Sequence, residues 1–227
     1  MSCISGVLIS LGLVAVLTTD IGYGHEDNWQ LIFHAVKGNG QSVLNAWNTK
    51  APPQCTPNNG CLPPGFKLDH WRDNAKHLRS PLIDQWESLS IKKIRVELGG
   101  QGKTLAFLEF DGSGSNDKDW FSKSRLLHSS WADLKTAKTN HFSIRGDERD
   151  RNPIKRHFFV NQRYAGCPND FGWFVVLDRT NEVCSWAKKG KAPAFLYSRG
   201  SQVVNWNQSK RFLKYYGFIR FHCCYLL

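Results

Sequence analysis

The chain is organised by short runs in which hydrophobic and polar residues alternate. The clearest run is 91–98, where every second residue from Ile94 to Leu98 is aliphatic and the residues between them are charged. This alternation gives a strand one apolar and one polar face. A glycine-rich segment, 99–102, follows, and bulky apolar residues return over 104–110. The pattern predicts a β-hairpin.

Further segments rich in β-branched and aromatic residues predict more strands. They cover residues 29–36, 141–145, 156–160, 173–177 and 194–197. Turn residues such as Gly38-Asn39-Gly40 separate them. Many short strands joined by such turns favour a mainly β domain, a β-rich sandwich.

Two segments predict short helices. Ser80 is a suitable N-cap, and Pro81 then occupies the first helical position, with apolar residues on one face as far as Leu89. Residues 122–134 are expected to be helical in part. The expected fold is therefore a disulfide-bonded β-rich sandwich with one or two short helices.

The N-terminal segment 1–24 reads as a cleavable signal peptide. Its apolar stretch is too short for a bilayer span but suits the hydrophobic region of a signal peptide, and Gly22-Tyr23-Gly24 supplies the small residues of a cleavage site. The alternative is a buried N-terminal strand or helix. Residues 25–227 then form a single extracellular domain, and no other apolar stretch approaches membrane-spanning length. We expect a secreted protein without membrane insertion.

The composition is strongly basic. Thirty Lys and Arg face 19 Asp and Glu, a formal net charge of +11, and removal of Asp20 with the signal peptide raises the charge by one. A basic surface attracts anionic partners such as sulfated polysaccharide, acidic protein or anionic lipid. Because the chain is exported, nucleic acid is not expected. Anionic polysaccharide or other matrix components are the expected partners.

Six cysteines remain after residue 24, an even number that implies disulfide bonds in a secreted chain. Cys55 and Cys61 flank a turn-rich loop, and Cys167 and Cys184 bracket an apolar run, so each pair could close a loop of its own. Six cysteines nevertheless permit about 15 connectivities. The adjacent pair at 223–224 requires longer-range bridges or another chain. Zinc is the alternative, but the spacing lacks matching histidines.

The loop 111–119 carries three carboxylates, Asp111, Asp117 and Asp119, directly after a predicted strand. Oxygen ligands in a flexible loop are what Ca²⁺ prefers, although the spacing is not that of an EF-hand. Weak Ca²⁺ binding, the one cofactor expectation, is therefore a hypothesis. The alternative is a polar loop at the end of a hairpin.

Two further motifs concern the surface. Arg145-Gly146-Asp147 is a tripeptide that extracellular ligands present to integrin-type receptors, and its alternative is a charged turn. Asn207-Gln208-Ser209 is an N-glycosylation sequon near a predicted turn.

Tryptophans and basic clusters suggest contacts with sugars. The tryptophans recur across the domain, at 47, 71, 86, 120, 131, 173, 186 and 206. Trp120 and Trp186 adjoin polar loops and are the candidates for exposed stacking platforms, although tryptophan in a β-rich fold belongs more often to the core.

Sequence signatures of common enzyme classes are missing. The chain has no Gly-x-Ser-x-Gly, no His-Glu-x-x-His and no phosphate-cradling loop. A glycosidase, whose two carboxylates are distant in sequence, stays open. We expect a protein that is not an enzyme and has no catalytic residues.

Several stretches carry a resemblance to known proteins. They are Trp29–Phe33 with Gly38–Val43, Phe110–Gly112, Trp120–Ser122, Ser129–Leu134 and Gly166–Trp173. Together they resemble a group of secreted marine-invertebrate proteins, chiefly of molluscs, which are associated with mantle secretion and the insoluble organic matrix of shell. The resemblance implies secretion and an extracellular matrix setting linked to biomineralisation.

The tail 208–227 is atypical of that group, being basic and aromatic. It is a genuine extension or the product of a shifted reading frame, which would make Cys223 and Cys224 accidental. The sequence favours a secreted, non-enzymatic matrix protein, a structural component of the shell organic matrix. The alternative is a lectin-like defence protein that binds glycans.

Overall fold

The computed structural model describes residues 29–66, 68, 76–100, 103–149, 154–179, 183–188, 190–208, 212–213 and 217–225. The predicted signal peptide, 1–24, lies outside these residues. Within them no helix is long and apolar enough to span a membrane.

The described part of the chain contains thirteen strands and one short α-helix. The strands are β1 (Gln30–Val36), β2 (Leu78–Arg79), β3 (Ile91–Gly100), β4 (Lys103–Asp111), β5 (Leu126–Ser129), β6 (His141–Ser143), β7 (Asp147–Arg149), β8 (Ile154–Arg163), β9 (Phe171–Leu177), β10 (Ala194–Ser198), β11 (Val204–Asn205), β12 (Phe212–Leu213) and β13 (Phe218–Tyr225). Helix α1 spans Val43–Asn48. Four 3-10 helices span Pro57–Asn59, Pro81–Gln85, Lys123–Arg125 and Cys167–Asn169.

The strands form two sheets. The first has the order β2-β1-β13-β3-β4-β5, and the second has the order β12-β10-β9-β8-β6, with β11 beside β9 and β7 beside β8. One buried cluster contains side chains from both sheets, among them Phe33, Val96 and Phe221 of the first and Phe158 and Phe174 of the second. The two sheets therefore pack face to face, and the predicted mainly β fold with few short helices is confirmed.

The predicted hairpin forms in the first sheet. Strands β3 and β4 pair antiparallel, with Ile94 opposite Phe110 and Val96 opposite Leu108. These residues are buried, whereas Arg95, between Ile94 and Val96, is partly exposed. The alternation of apolar and polar residues thus sets which face of the hairpin meets the core.

The second sheet is covered on its outer face as well. Val175 and Leu177 of β9 belong to a separate buried cluster with Trp186 and Trp206, while Val176 between them belongs to the main core. Strand β9 is therefore buried on both faces, which explains its continuous apolar sequence.

The atypical C-terminal stretch supplies a central strand. Strand β13 lies between β1 and β3, with Phe221 opposite both Phe33 and Val96. At its start Gly217 has a φ of +137°, and a Cβ atom there would lie 1.4 Å from the carbonyl oxygen of Gly99. Only glycine allows β13 to approach the end of β3 this closely.

The helix predictions had mixed outcomes. Ser80 caps a 3-10 helix, Pro81–Gln85, by accepting a hydrogen bond from the backbone N–H of Leu82 at 3.3 Å. The partial helix predicted over 122–134 is wrong apart from one 3-10 turn, because Leu126–Ser129 instead pairs with β4 as β5. Pairing with an adjacent strand outweighs local preference here.

Candidate functional site

The three carboxylates of the loop 111–119 do not share a site. The Oδ1 of Asp111 accepts the backbone N–H of Ser113 at 2.9 Å, Asp119 accepts two hydrogen bonds from Asn116, and Asp117 pairs with Lys118. The described residues contain no group of three or more His, Cys, Asp or Glu side chains that could hold a metal ion.

The guanidinium of Arg125 binds backbone carbonyl oxygens of this loop, which could otherwise bind a cation. Arg125 donates to the carbonyl oxygens of Ser113 at 2.9 Å and of Asp111 and Gly114 at 3.4 Å. The backbone hydrogen bond from Ser113 is the main cause of the lowered pKa of Asp111, and the charge of Arg125 lowers this pKa further. The loop therefore contains its own positive charge, which favours the polar-loop alternative.

The Arg145-Gly146-Asp147 tripeptide is not arranged for receptor binding. The side chain of Arg145 is 84% exposed, but that of Asp147 is 8% exposed and pairs with Arg149 at 2.9 Å. Adhesion through this motif requires both charges to be accessible, and the burial of Asp147 argues against it. Asp147 opens strand β7, and its neighbours in the sheet bury it.

The predicted tryptophan platforms are buried. Trp120 is 0% exposed and Trp186 is 2% exposed. Trp120 packs against Trp47 and Phe110 in the main core, and Trp186 stacks on Trp206. The platform hypothesis is therefore wrong for both residues. Trp71 lies outside the described residues.

Both predicted local disulfides are present, Cys55–Cys61 and Cys167–Cys184. Cys223 is a free, buried thiol of β13, and burial raises its pKa to about 12. Asn207 is exposed, as a glycosylation acceptor must be.

The sequence did not indicate a cleft beside α1, which we call the α1 cleft. It has a volume of about 280 Å³. Its walls are residues of α1 and its flanks, Asn59 and Gly60 of the Cys55–Cys61 loop, and Lys76, His77 and Arg79. No carboxylate is among the described residues that line it, and two lysines and an arginine are.

Arg79 is the most constrained cation of the α1 cleft. It is 5% exposed; its Nε donates to the carbonyl oxygen of Trp47 at 2.6 Å, and its Nη2 lies 2.8 Å from Asp84. Burial alone would raise the pKa of Asp84, but hydrogen bonds from Arg79 and Ala51 outweigh that effect and lower it. The Nη1 of Arg79 is buried and has no hydrogen-bond partner among the described residues.

Backbone pairing fixes Arg79 between the sheet and the disulfide loop. Arg79 in β2 lies opposite Phe33 of β1, its N–H donates to the carbonyl oxygen of Gly60, and its own carbonyl oxygen accepts from Leu62. The Cys55–Cys61 loop is thereby attached to the edge of the first sheet. The guanidinium is held at the junction of β2, this loop and α1.

His77 lines the α1 cleft as a neutral ring. Its Nδ1 accepts the backbone N–H of Val36 at 3.2 Å, so its Nε2 carries the proton and donates to the carbonyl oxygen of Gln41 at 3.0 Å. Burial lowers the pKa of this ring. The positive charge of the cleft therefore comes from Arg79, Lys50 and Lys76.

A buried carboxylate anchors the helix that forms one wall of the α1 cleft. Asp178, at the end of β9, accepts hydrogen bonds from the hydroxyl of Ser42 at 2.6 Å and from the backbone N–H groups of Val43 and Leu44 at 2.9 and 3.1 Å. A carboxylate at a helix N-terminus satisfies donors that have no partner within the helix. Helix α1 is thus fixed against the second sheet.

A second, larger depression adjoins the α1 cleft and has a different charge. Its volume is about 480 Å³, and it shares Lys50 with the α1 cleft. Three carboxylates, those of Asp84, Glu87 and Asp117, line it together with Lys50 and Lys118. The charged residues that line the α1 cleft are all cations, whereas carboxylates outnumber cations in the second depression.

The fold and the site define a mainly β, two-sheet, disulfide-bonded protein with a basic cleft at one sheet edge. Comparison with protein-family models, with curated proteins and with solved structures gave no significant match. Function is therefore argued from the residues of this chain.

Proposed function

We propose that the chain is a secreted, non-enzymatic protein of an extracellular matrix that binds anionic polysaccharide. A structural role in the organic matrix of shell is the setting that the sequence resemblance favours. The absence of common enzyme signatures from the sequence supports the non-enzymatic part of the proposal.

The observation that carries the proposal is the placement of charge. None of the described lysines is buried. Among the described residues the buried arginines are Arg79 and Arg156, whereas the acids Glu109, Asp147 and Asp170 are buried and the side chain of Asp178 is 2% exposed. The positive charge that results from 30 basic and 19 acidic residues therefore lies mainly at the surface.

The described surface exposes few large hydrophobic side chains. Its exposed large hydrophobic side chains are Leu105 and Val183. A partner that binds this surface must gain most of its affinity from charge and hydrogen bonds. Sulfated or carboxylated polysaccharide meets that requirement and is present outside cells.

The lectin-like alternative has lost the aromatic residues that favoured it. Stacking of sugar rings requires accessible aromatic faces, and Trp120 and Trp186 are both buried. No other observation in the described residues favours a defence lectin over a matrix protein.

Salt dependence of binding tests the proposed partner. The affinity for chondroitin sulfate is expected to fall by about 10-fold or more when NaCl is raised from 50 to 500 mM, because the Debye length shortens to several ångströms over that range. Isothermal titration calorimetry measures it, with neutral dextran as the control. Binding that is absent at low salt, or equally tight to dextran, would contradict the proposal.

The proposed export is tested by the N-terminal sequence of the protein recovered from the medium of expressing eukaryotic cells. Removal of segment 1–24 makes His25 the first residue. Recovery of the chain inside the cells with Met1 still present would contradict a secreted protein.

A further inference from the structure

We propose that the α1 cleft is the binding site for one acidic sugar unit, a unit that carries a carboxylate or a sulfate group. This inference rests on the proposed function, because it takes an anionic polysaccharide to be the partner. It gives the contact a defined place instead of spreading it over the whole basic surface.

Arg79 has one hydrogen-bond donor without a partner in the described structure. This guanidinium lines the α1 cleft, is 5% exposed, and has two of its three nitrogens engaged by Trp47 and Asp84. Its Nη1 has no partner in the described structure. A buried donor without a partner is costly, and an anionic ligand oxygen at this position would remove that cost.

The surroundings of Arg79 in the α1 cleft are positively charged. Lys50 and Lys76 line the same cleft, and the Nζ of Lys76 is held by the carbonyl oxygen of Asn58 at 2.9 Å. Asp84, which does not line the cleft, offsets the charge of Arg79. Lys50 and Lys76 still leave the cleft with an excess of positive charge. Like charge in the adjoining depression, at Asp84, Glu87 and Asp117, disfavours an anion there. An acidic group is therefore directed to the α1 cleft.

The remaining wall of the α1 cleft is polar and neutral. Amide and hydroxyl side chains, those of Asn45, Thr49 and Asn59, line the cleft together with the cations. The hydroxyl of Thr49 donates to the carbonyl oxygen of Asn45 at 2.7 Å and keeps its acceptor capacity. Neutral donors and acceptors beside fixed cations suit a ring with several hydroxyl groups and one charge.

The size of the α1 cleft agrees with a small unit. Its volume of about 280 Å³ lies just below the range for small-molecule sites, roughly 300–1,000 Å³. A single ring of a chain fits this volume, while the rest of the polysaccharide extends across the surface. The site therefore recognises one unit rather than a long segment.

The experiment compares three fluorescent tetrasaccharides by anisotropy at physiological ionic strength, where the Debye length is about 8 Å. One is sulfated (chondroitin sulfate), one carries carboxylates alone (polygalacturonate), and one is neutral (maltotetraose). The cleft variant is K50Q/K76Q. The matched control is K135Q/K138Q, which removes the same charge from exposed lysines that do not line the cleft. Arg79 is left unchanged because its contacts with Trp47 and Asp84 also support the fold.

We expect wild type to bind at least one acidic tetrasaccharide and not the neutral one. The K50Q/K76Q variant is expected to weaken that binding by at least about 10-fold, a difference of about 1.4 kcal/mol. K135Q/K138Q is expected to stay within about 2-fold, since distant exposed charges are screened. The acidic tetrasaccharide, sulfated or carboxylated, whose affinity falls most in K50Q/K76Q identifies the recognised group.

A second variant separates binding from folding. Asn45→Ala changes an exposed helical side chain of the cleft wall to a better helix former, so its melting temperature is expected not to fall. Its affinity for the acidic tetrasaccharide is expected to fall about 3-fold or more through the lost hydrogen bond. Equal losses of affinity in K50Q/K76Q and in K135Q/K138Q would overturn the inference. Unchanged affinity in both K50Q/K76Q and Asn45→Ala would also overturn it. Either result would leave the proposed function standing. Failure of wild type to bind either acidic tetrasaccharide would instead contradict the proposed function.

Discussion

Replacement of Trp47 by alanine is expected to lower the free energy of unfolding by about 3–5 kcal/mol. Trp47 is 0% exposed and joins α1 to the main core. Its ring contacts Phe33 and Phe221 of the first sheet and Phe158 of the second at centroid distances of 5.3, 5.3 and 6.1 Å. Removing it leaves a cavity between both sheets.

Urea unfolding monitored by circular dichroism measures the effect of Trp47→Ala. Asn48→Ala, on the next and exposed residue of α1, is the control and is expected to change stability by less than about 0.5 kcal/mol. Trp47→Phe retains part of the ring but loses the hydrogen bond from Nε1 to the carbonyl oxygen of Asp117. The loss of stability in Trp47→Phe should lie between those of Trp47→Ala and Asn48→Ala. A Trp47→Ala variant as stable as Asn48→Ala would contradict this packing.

The second large effect is expected for Arg156→Met, with a loss of about 3–5 kcal/mol at neutral pH. The side chains of Arg156 and Asp170 are 0% and 1% exposed and lie 3.9 Å apart. The guanidinium also donates to the hydroxyl of Tyr164 at 2.8 Å and lies 4.4 Å above the ring of Trp186. Methionine fills the space but leaves the carboxylate of Asp170 buried without its counter-charge.

The pH dependence of Arg156→Met has a defined sign. Burial raises the pKa of Asp170 in the folded protein, and the charge of Arg156 opposes that rise. Without Arg156 the pKa rises further, so the folded state retains a proton that the unfolded state has released. Stability is then retained below the ordinary aspartate pKa and lost as pH rises above it. The deficit of the variant should therefore shrink in acid.

A double variant separates the charge effect from packing. Arg156→Met combined with Asp170→Asn removes the uncompensated charge and is expected to recover part of the stability lost in the single variant. Urea unfolding at pH 7 and at acid pH measures both. A double variant that is less stable than Arg156→Met would show that the pair is not coupled as the structure indicates.

The elements that the sequence could predict are those specified by neighbouring residues. The hairpin β3–β4 depends on alternation within each strand and on its glycine turn, all within about twenty residues, and both disulfides that were expected close short loops. The strand Leu126–Ser129 was missed because its conformation depends on pairing with β4. Local preference carries no information about that partner.

The candidate site was missed for the same reason. Lys50, Lys76 and Arg79 come from separate segments, and only the pairing of β2 with β1 and with the Cys55–Cys61 loop brings them together. Trp186 lies beside polar residues in the sequence, yet residues distant in sequence, Arg156 and Trp206, pack against its ring. Lys50 and Lys76 lie on either side of the Cys55–Cys61 loop in the sequence but form no basic run, so no local signal indicated the cleft.

The position of β13 has a consequence for the order in which the molecule can be built. Val36 of β1 and Phe218 of β13 are paired neighbours, although almost the whole described chain separates them in sequence. Because β13 lies between β1 and β3, the first sheet cannot close around its centre until residues 218–225 have left the ribosome. Contacts this distant in sequence make folding slow, so β1 must wait with an unpaired edge while synthesis continues. Nascent chains of this protein should therefore depend on chaperones for longer than a fold built from consecutive hairpins.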